Sequence, residues 1–187
     1  PTRRSSDLVM EKLEESELPT AARLNRIANK LSNCVWNKSP IVAFDRDVHE
    51  LKLDALLGDS SALRQQFLRT SWALNWRLLT RCLTHGDCTA ENFMMRGEEI
   101  ILIDPVPATP AVPDYLSVDI GKMLQSAFGW ENMRYGDICN NVSLGSDLVY
   151  DVIGHISDKD WEAAHYWSAV HFVRTLPYIP VRLHEEV

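Results

Sequence analysis

The apolar residues of this chain break their period once, and that break constrains the fold more than any other feature. Up to Cys82 they recur at helical spacing. Then Phe93-Met94-Met95 and Ile100-Ile101-Leu102-Ile103 form two short apolar runs joined by the polar link Arg96-Gly97-Glu98-Glu99, the pattern of a hairpin. Pro105, Pro107, Pro110 and Pro113 forbid regular structure after Asp104, and helical spacing resumes at Leu116. One small hairpin enclosed by helices predicts a mainly α fold with a small β-hairpin, an α+β arrangement.

The helices are read from their faces and caps. Pro19 and Thr20 open a stretch with Leu24, Ile27, Ala28 and Leu31 on one side, and Asn33 to Pro40 breaks it. Asp45 to Leu57 follows, with Val48, Leu51 and Leu56 as its apolar residues, and ends at Gly58. Ser60 or Ser61 caps a long third helix whose Leu63, Phe67, Leu74, Leu78 and Cys82 face a core, and which runs directly into His85. Leu116 to Phe128 is helical, with Leu116, Ile120, Met123, Leu124 and Ala127 on one face, and Trp130 to Gly145 is irregular. Asp147 to Ile156 is helical, and a last helix runs from a Ser157 or Asp158 cap to about Thr175, before Pro177 and Pro180.

The hairpin is bracketed by chemistry. Leu83-Thr84-His85-Gly86-Asp87-Cys88-Thr89-Ala90-Glu91-Asn92 leads into it and Asp104 leaves it. His, Asp and Asn at these spacings arise by chance roughly once in 8000 starting positions. If the two runs pair, Asn92 enters the first strand at the end where Asp104 leaves the second. Antiparallel neighbours lie about 5 Å apart, so the amide oxygen of Asn92 and the carboxylate of Asp104 can share a magnesium ion. Asp87 then stands on the same loop to accept a proton from an attacking hydroxyl. A base with two metal ligands in this order is how phosphoryl-transfer sites of the kinase type are built. A metal-dependent hydrolase using His85, Asp87 and Asp104 is one rival and requires no nucleotide; a catalytically silent kinase-like binding module is another.

Composition narrows the class. At 187 residues, 45% hydrophobic and 24% charged, the chain fits one soluble domain. No apolar run approaches the roughly 20 residues that span a bilayer, so no membrane role is expected. A net charge of −7 without a lysine and arginine cluster argues against nucleic acid and is compatible with a cationic substrate. The four cysteines, Cys34, Cys82, Cys88 and Cys139, are scattered, which points to a reducing cytoplasm rather than a zinc site or disulfide framework. Cys88 is expected to pack beneath the loop.

His85-Gly86-Asp87 with Asn92, then Ile103-Asp104, then Asp119-Ile120-Gly121-Lys122 resembles the C-terminal lobe of the aminoglycoside phosphotransferase and choline kinase-like family. The resemblance is anchored from about Leu83 to Leu124. Val170 to Tyr178 is also similar to a closing helix of some members linked to surface-polysaccharide genes. The resemblance implies a protein kinase-like fold, with Asp87 as catalytic base and Asn92 and Asp104 as ligands of Mg2+. His85 would brace the loop through hydrogen bonds, and a buried Asp119 would accept hydrogen bonds from the loop backbone. It further implies transfer of the γ-phosphoryl group of ATP or GTP to a hydroxyl of a small molecule, an aminoglycoside, choline-like or sugar-type acceptor. Pro105 after Asp104, and the proline-rich loop before Asp119, depart from the pattern and leave the acceptor open.

Nothing upstream supplies the glycine-rich loop or strand lysine that such a site uses, so the chain reads as a C-terminal lobe with its N-terminal lobe largely absent. It is then expected to bind nucleotide weakly, to show no phosphotransfer alone and to self-associate. Pro1 to Leu8 lacks an initiating Met and an apolar signal core. It matches what one reading frame of a widely used sequencing-adapter oligonucleotide would encode, so genuine sequence is expected from near Val9, with 9–187 forming the lobe. His155, His165 and His171 have no carboxylates at ligand spacing and are read as amphipathic or core residues. Trp72, Trp76, Trp161 and Trp167 are read as core, and Glu11, Glu14, Glu15 and Glu17 as a solvated helix face.

Overall fold

The structure, a computed structural model, describes residues 11–12, 20–58, 61–128, 142–154 and 156–178. In chain order these form β1 (Glu11–Lys12), α1 (Thr20–Leu31), α2 (Arg46–Leu57), α3 (Ala62–Ala73), β2 (Phe93–Arg96), β3 (Glu99–Leu102), α4 (Leu116–Ala127), α5 (Val142–Ile153) and α6 (Asp158–Thr175). The chain is mainly helical with a small antiparallel sheet, the predicted class. Phe93 pairs with Leu102 and Arg96 with Glu99, and the φ of +61° at the turn falls on Gly97, the residue that adopts it without strain.

Caps set the helix starts as the sequence suggests. The Asp45 carboxylate accepts from Val48 N (3.2 Å), Ser61 Oγ from Arg64 N (3.0 Å) and Ser157 Oγ from Asp160 N (3.0 Å). Leu24, Ile27, Ala28 and Leu31 are all buried. The predicted break at Asn33 comes later, because a widened helical turn occupies Ser32–Trp36.

Other expectations are corrected. The long third helix stops at Ala73, where Leu74 turns extended (φ −68°, ψ 133°) and a 3-10 turn follows at Trp76–Leu78. The buried Trp76 indole donates to Ser71 O (2.9 Å), satisfying a carbonyl of the last turn that a continuing helix would have used. Leu78 is therefore largely exposed, and Leu63, in the first turn of α3, also faces solvent and not the core. On α2 the buried residues are His49 and Leu53, whereas Val48, Leu51 and Leu56 face solvent. Trp72 is half exposed and donates to Glu50. Helix α5 begins at Val142 and ends at Ile153, earlier at both ends than the spacing predicts. Glu11 lies in β1, paired with Met95, and not on a helix face. Residues 1–8, Glu14, Glu15, Glu17, most of the 130–145 stretch, Cys139 and His155 lie outside the described residues.

Helix α4 organises the rest. Every residue from Ser117 to Gln125 is buried, so the expected single apolar face becomes a helix enclosed all round. Ile120, Met123 and Leu124 pack with α1, Phe93 and Val149, while Val118 packs with Leu53, Phe67, Trp167 and Val170. The α4–α6 crossing is close at Gly121, where an added Cβ would stand 2.7 Å from Trp167 Cβ and 2.9 Å from Ser168 N. That closeness fixes how deeply the polar residues of α4, Asp119 and Lys122, sit beneath the loop that precedes the hairpin.

Candidate active site

Residues 79–89 carry the candidate chemistry, and apart from a one-residue bridge between Arg81 and Tyr115 they have no strand partner. Their backbone N–H groups still need acceptors, and three buried carboxylates supply them. Asp160 accepts from Thr80 N (2.8 Å) and Thr80 Oγ1 (2.7 Å). Asp114 accepts from Thr84 N (3.1 Å) and Thr84 Oγ1 (2.9 Å), and from Ile41 N and Val42 N (both 2.8 Å). Asp119 accepts from His85 N (2.9 Å), Gly86 N (2.8 Å) and the Trp36 indole (2.9 Å). Full burial pushes the Asp119 carboxyl above its ordinary value of 3.8, and these donors pull it back. Donors alone face it, the surroundings an ionised carboxylate requires.

Gly86 is the hinge of the loop. Its φ is +79°, and an added Cβ would lie 2.1 Å from Val106 O, so any side chain there would have to displace backbone. Beyond it, Asp87 is held on both oxygens. Lys122 Nζ lies 2.9 Å from Oδ1 and Asn92 Nδ2 donates to Oδ2 at 2.8 Å and to the Asp87 carbonyl at 2.9 Å. About a quarter of the Asp87 side chain stays open to solvent. Since the Asn92 amide nitrogen is spent on Asp87, its oxygen is left without a hydrogen bond among the described residues.

Ile103 N donates to Asn92 O (3.1 Å), which extends the hairpin pairing and places Asp104 one residue past Asn92's partner. Asp104 is exposed, takes φ +49° and makes no ion pair or hydrogen bond among the described residues. Asn92 Oδ1 and the Asp104 carboxylate, without protein partners among the described residues, are hard oxygen donors of the kind a magnesium ion takes beside waters and phosphates. No three His, Cys, Asp or Glu side chains converge on a metal position among the described residues.

His85 departs from its expected part. Its ring nitrogens have no hydrogen-bond partner among the described residues; the buried ring stacks on Phe93, with centroids 5.7 Å apart. It braces the loop by packing, while its backbone holds Asp119 and accepts from Val106 N (2.8 Å). The ring is buried and packed on Phe93, unlike the ligand of a solvent-open hydrolase metal. Cys88 is fully buried, and burial, then the Asp119 charge, pushes its thiol well above the ordinary value; such a thiol is inert.

Three residues of the site escaped the sequence reading. Asp114 and Asp160 leave no spacing signal, because their partners are backbone groups. Lys122 does leave one: it lies three residues after Asp119 on α4, and so shares the face that meets the loop. Its ammonium also donates to Gln125 Oε1 (3.0 Å), and Gln125 Nε2 donates to Thr175 Oγ1 (3.2 Å), linking Asp87 to the end of α6.

A loop pinned on buried carboxylates, an oriented Asp and a hairpin carrying Asn and Asp define a protein of the phosphoryl-transfer class. The profile of the phosphotransferase enzyme family (APH) matches residues 19–139, a span that contains His85, Asp87, Asn92, Asp104, Asp114, Asp119 and Lys122 but not Asp160. The chain belongs to that family. No curated protein and no solved structure matches it.

Proposed function

We propose that this protein is a nucleotide-dependent phosphotransferase that moves the γ-phosphoryl group of ATP or GTP to a hydroxyl of a small molecule. The observation that carries this reading is the Asp87 carboxylate, oriented by Lys122 and Asn92 and still open on one side. A carboxylate offers about four acceptor positions. Two are occupied, so an incoming hydroxyl can donate to a third and pass its proton there as its oxygen attacks phosphorus. Lys122 holds that carboxylate in place through its ion pair, and Asn92 fixes its rotation. Asn92 Oδ1 and Asp104 would hold Mg2+, which supplies neutralisation of phosphate charge when bound.

Family membership supports phosphotransfer, and the free oxygen donors support the metal. The test is Asp87→Asn, which keeps shape and removes the base. Nucleotide-dependent phosphorylation across a panel of hydroxyl acceptors should fall by about two to four orders of magnitude while the fold persists. Unchanged turnover would assign the proton to another group.

A further inference from the structure

A small cavity beside the catalytic loop is walled by two cations and no anion. Lys52 of α2 and Arg174 of α6 both line it, with Thr84, Gly86, Thr109 and Val118 among the other walls. Its volume is about 40 Å³, against roughly 10–15 Å³ for one water on the same measure. That is room for a few waters or one compact oxyanion.

Both cations are half buried, and among the described residues neither makes an ion pair. This is unexpected in a chain with 26 acidic and 19 basic residues. Nearby carboxylates are already committed. Asp87 is paired with Lys122, Asp114 accepts four hydrogen bonds around Thr84, and Asp119 serves the loop backbone. The two like charges also sense each other, since burial and then Arg174 lower the affinity of Lys52 for its proton. Gathering two cations that have no ion-pair partner among the described residues at a half-buried cavity costs free energy, which a bound anion would return.

We propose that Lys52 and Arg174 hold a small oxyanion, a phosphate or carboxylate group, against Gly86 of the catalytic loop. Arg174 offers the planar fork that matches two oxygens, and Lys52 a compact charge for a third. Thr109 Oγ1 accepts from Val112 N (3.2 Å), so its proton is available to the anion; the Thr84 hydroxyl is already spent on Asp114. The pocket goes beyond the phosphotransfer reading, and its occupancy can be measured without turnover.

Inorganic phosphate titrated into the 187-residue chain at constant ionic strength should show saturable calorimetric binding. Lys52→Met and Arg174→Met should each weaken it by about tenfold or more, and Lys52→Arg by much less. Phenyl phosphate binding more tightly than phosphate would mean that the group arrives on a small molecule. Binding of inorganic phosphate alone would mean a free anion; both results support the pocket. In the unaltered chain, phosphate but not chloride should slow acetylation of Lys52 as read by mass spectrometry, a result that needs no folded variant. Absence of saturable binding, binding by either Met variant as tight as by the unaltered chain, or Lys52 acetylation indifferent to phosphate would overturn the proposal.

Discussion

Lys122 sits on α4 at 7% exposure with its ammonium against Asp87. Burying a lysine is tolerated only with a partner, and here the partner is the residue proposed to take the proton. Lys122→Met would leave the carboxylate without its counter-charge while keeping the aliphatic packing. We expect kcat to fall roughly tenfold to a hundredfold with KM changed little, and Lys122→Arg to recover part of the loss. A larger effect on KM than on kcat would place Lys122 in substrate binding and not in orienting Asp87. At the same scale, Gly86 and Asp119 act as a pair: the left-handed glycine lets the loop turn against Val106 O, and the carboxylate collects the N–H groups that the turn exposes.

Helix α4 is the element on which the site depends, and Gly121 is its most constrained position. Replacing glycine by alanine in a helix interior gains up to about 1 kcal/mol in propensity. Here the new methyl would meet Trp167 Cβ at 2.7 Å, Ser168 N at 2.9 Å and Ala164 O at 3.0 Å, all on or near the α6 backbone and unable to swing aside. Overpacking of this kind costs roughly 1–3 kcal/mol, so strain should outweigh propensity. Gly121→Ala is expected to lower the urea midpoint and, by pushing α4 away, to reduce activity more than the stability loss explains. A variant at least as stable as the parent would show that the two helices separate freely.

For the whole molecule, two buried histidines set how stability follows pH. His49 donates from Nδ1 to Ala111 O, so its Nε2 accepts from the Tyr166 hydroxyl and the ring is neutral. His171 is buried with Val118 O at 3.3 Å from Nε2. Burial lowers both below the ordinary 6.5, and the charges of Lys122, Arg174 and Lys52 depress His171 further. The folded chain then refuses protons that the unfolded chain binds below about 6.5. This contribution is constant above that value and is lost as the pH falls from there toward the folded values, by up to ~1.4 kcal/mol per unit for each histidine. Asp119, shifted upward by burial, acts in the opposite sense, its contribution falling as the pH rises above its ordinary 3.8. Urea unfolding at pH 7.5 and 5.5 should therefore show a lower midpoint at 5.5, and equal midpoints would mean that these rings are charged in the folded state.

Much of the fold was legible because side-chain identity alone encodes it. Leu24, Ile27, Ala28 and Leu31 repeat at helical spacing, Asp45, Ser61 and Ser157 carry capping oxygens, and the two apolar runs around Gly97 close into a hairpin in one register. The order His85, Asp87, Asn92, Asp104 was visible for the same reason, since each carries a distinct functional group, and the structure pairs Asp87 with Asn92. The end of α3 was not, because Phe67 and Leu74 suit a helix face whether or not the chain turns between them and Leu79. Nor was the way residues 79–86 are held. The family resemblance supplied Asp119, which meets His85 N and Gly86 N as expected. But Asp114 and Asp160 also meet backbone N–H groups from distant segments, and an N–H is the same in every residue but proline. Spacing therefore carries no trace of which carboxylate it will find. The sequence determined the helix faces, the hairpin and the residues able to do chemistry; only tertiary packing, by bringing α4 and α6 within contact at Gly121, decided that Lys122 would face Asp87 and that Lys52 and Arg174 would share one cavity.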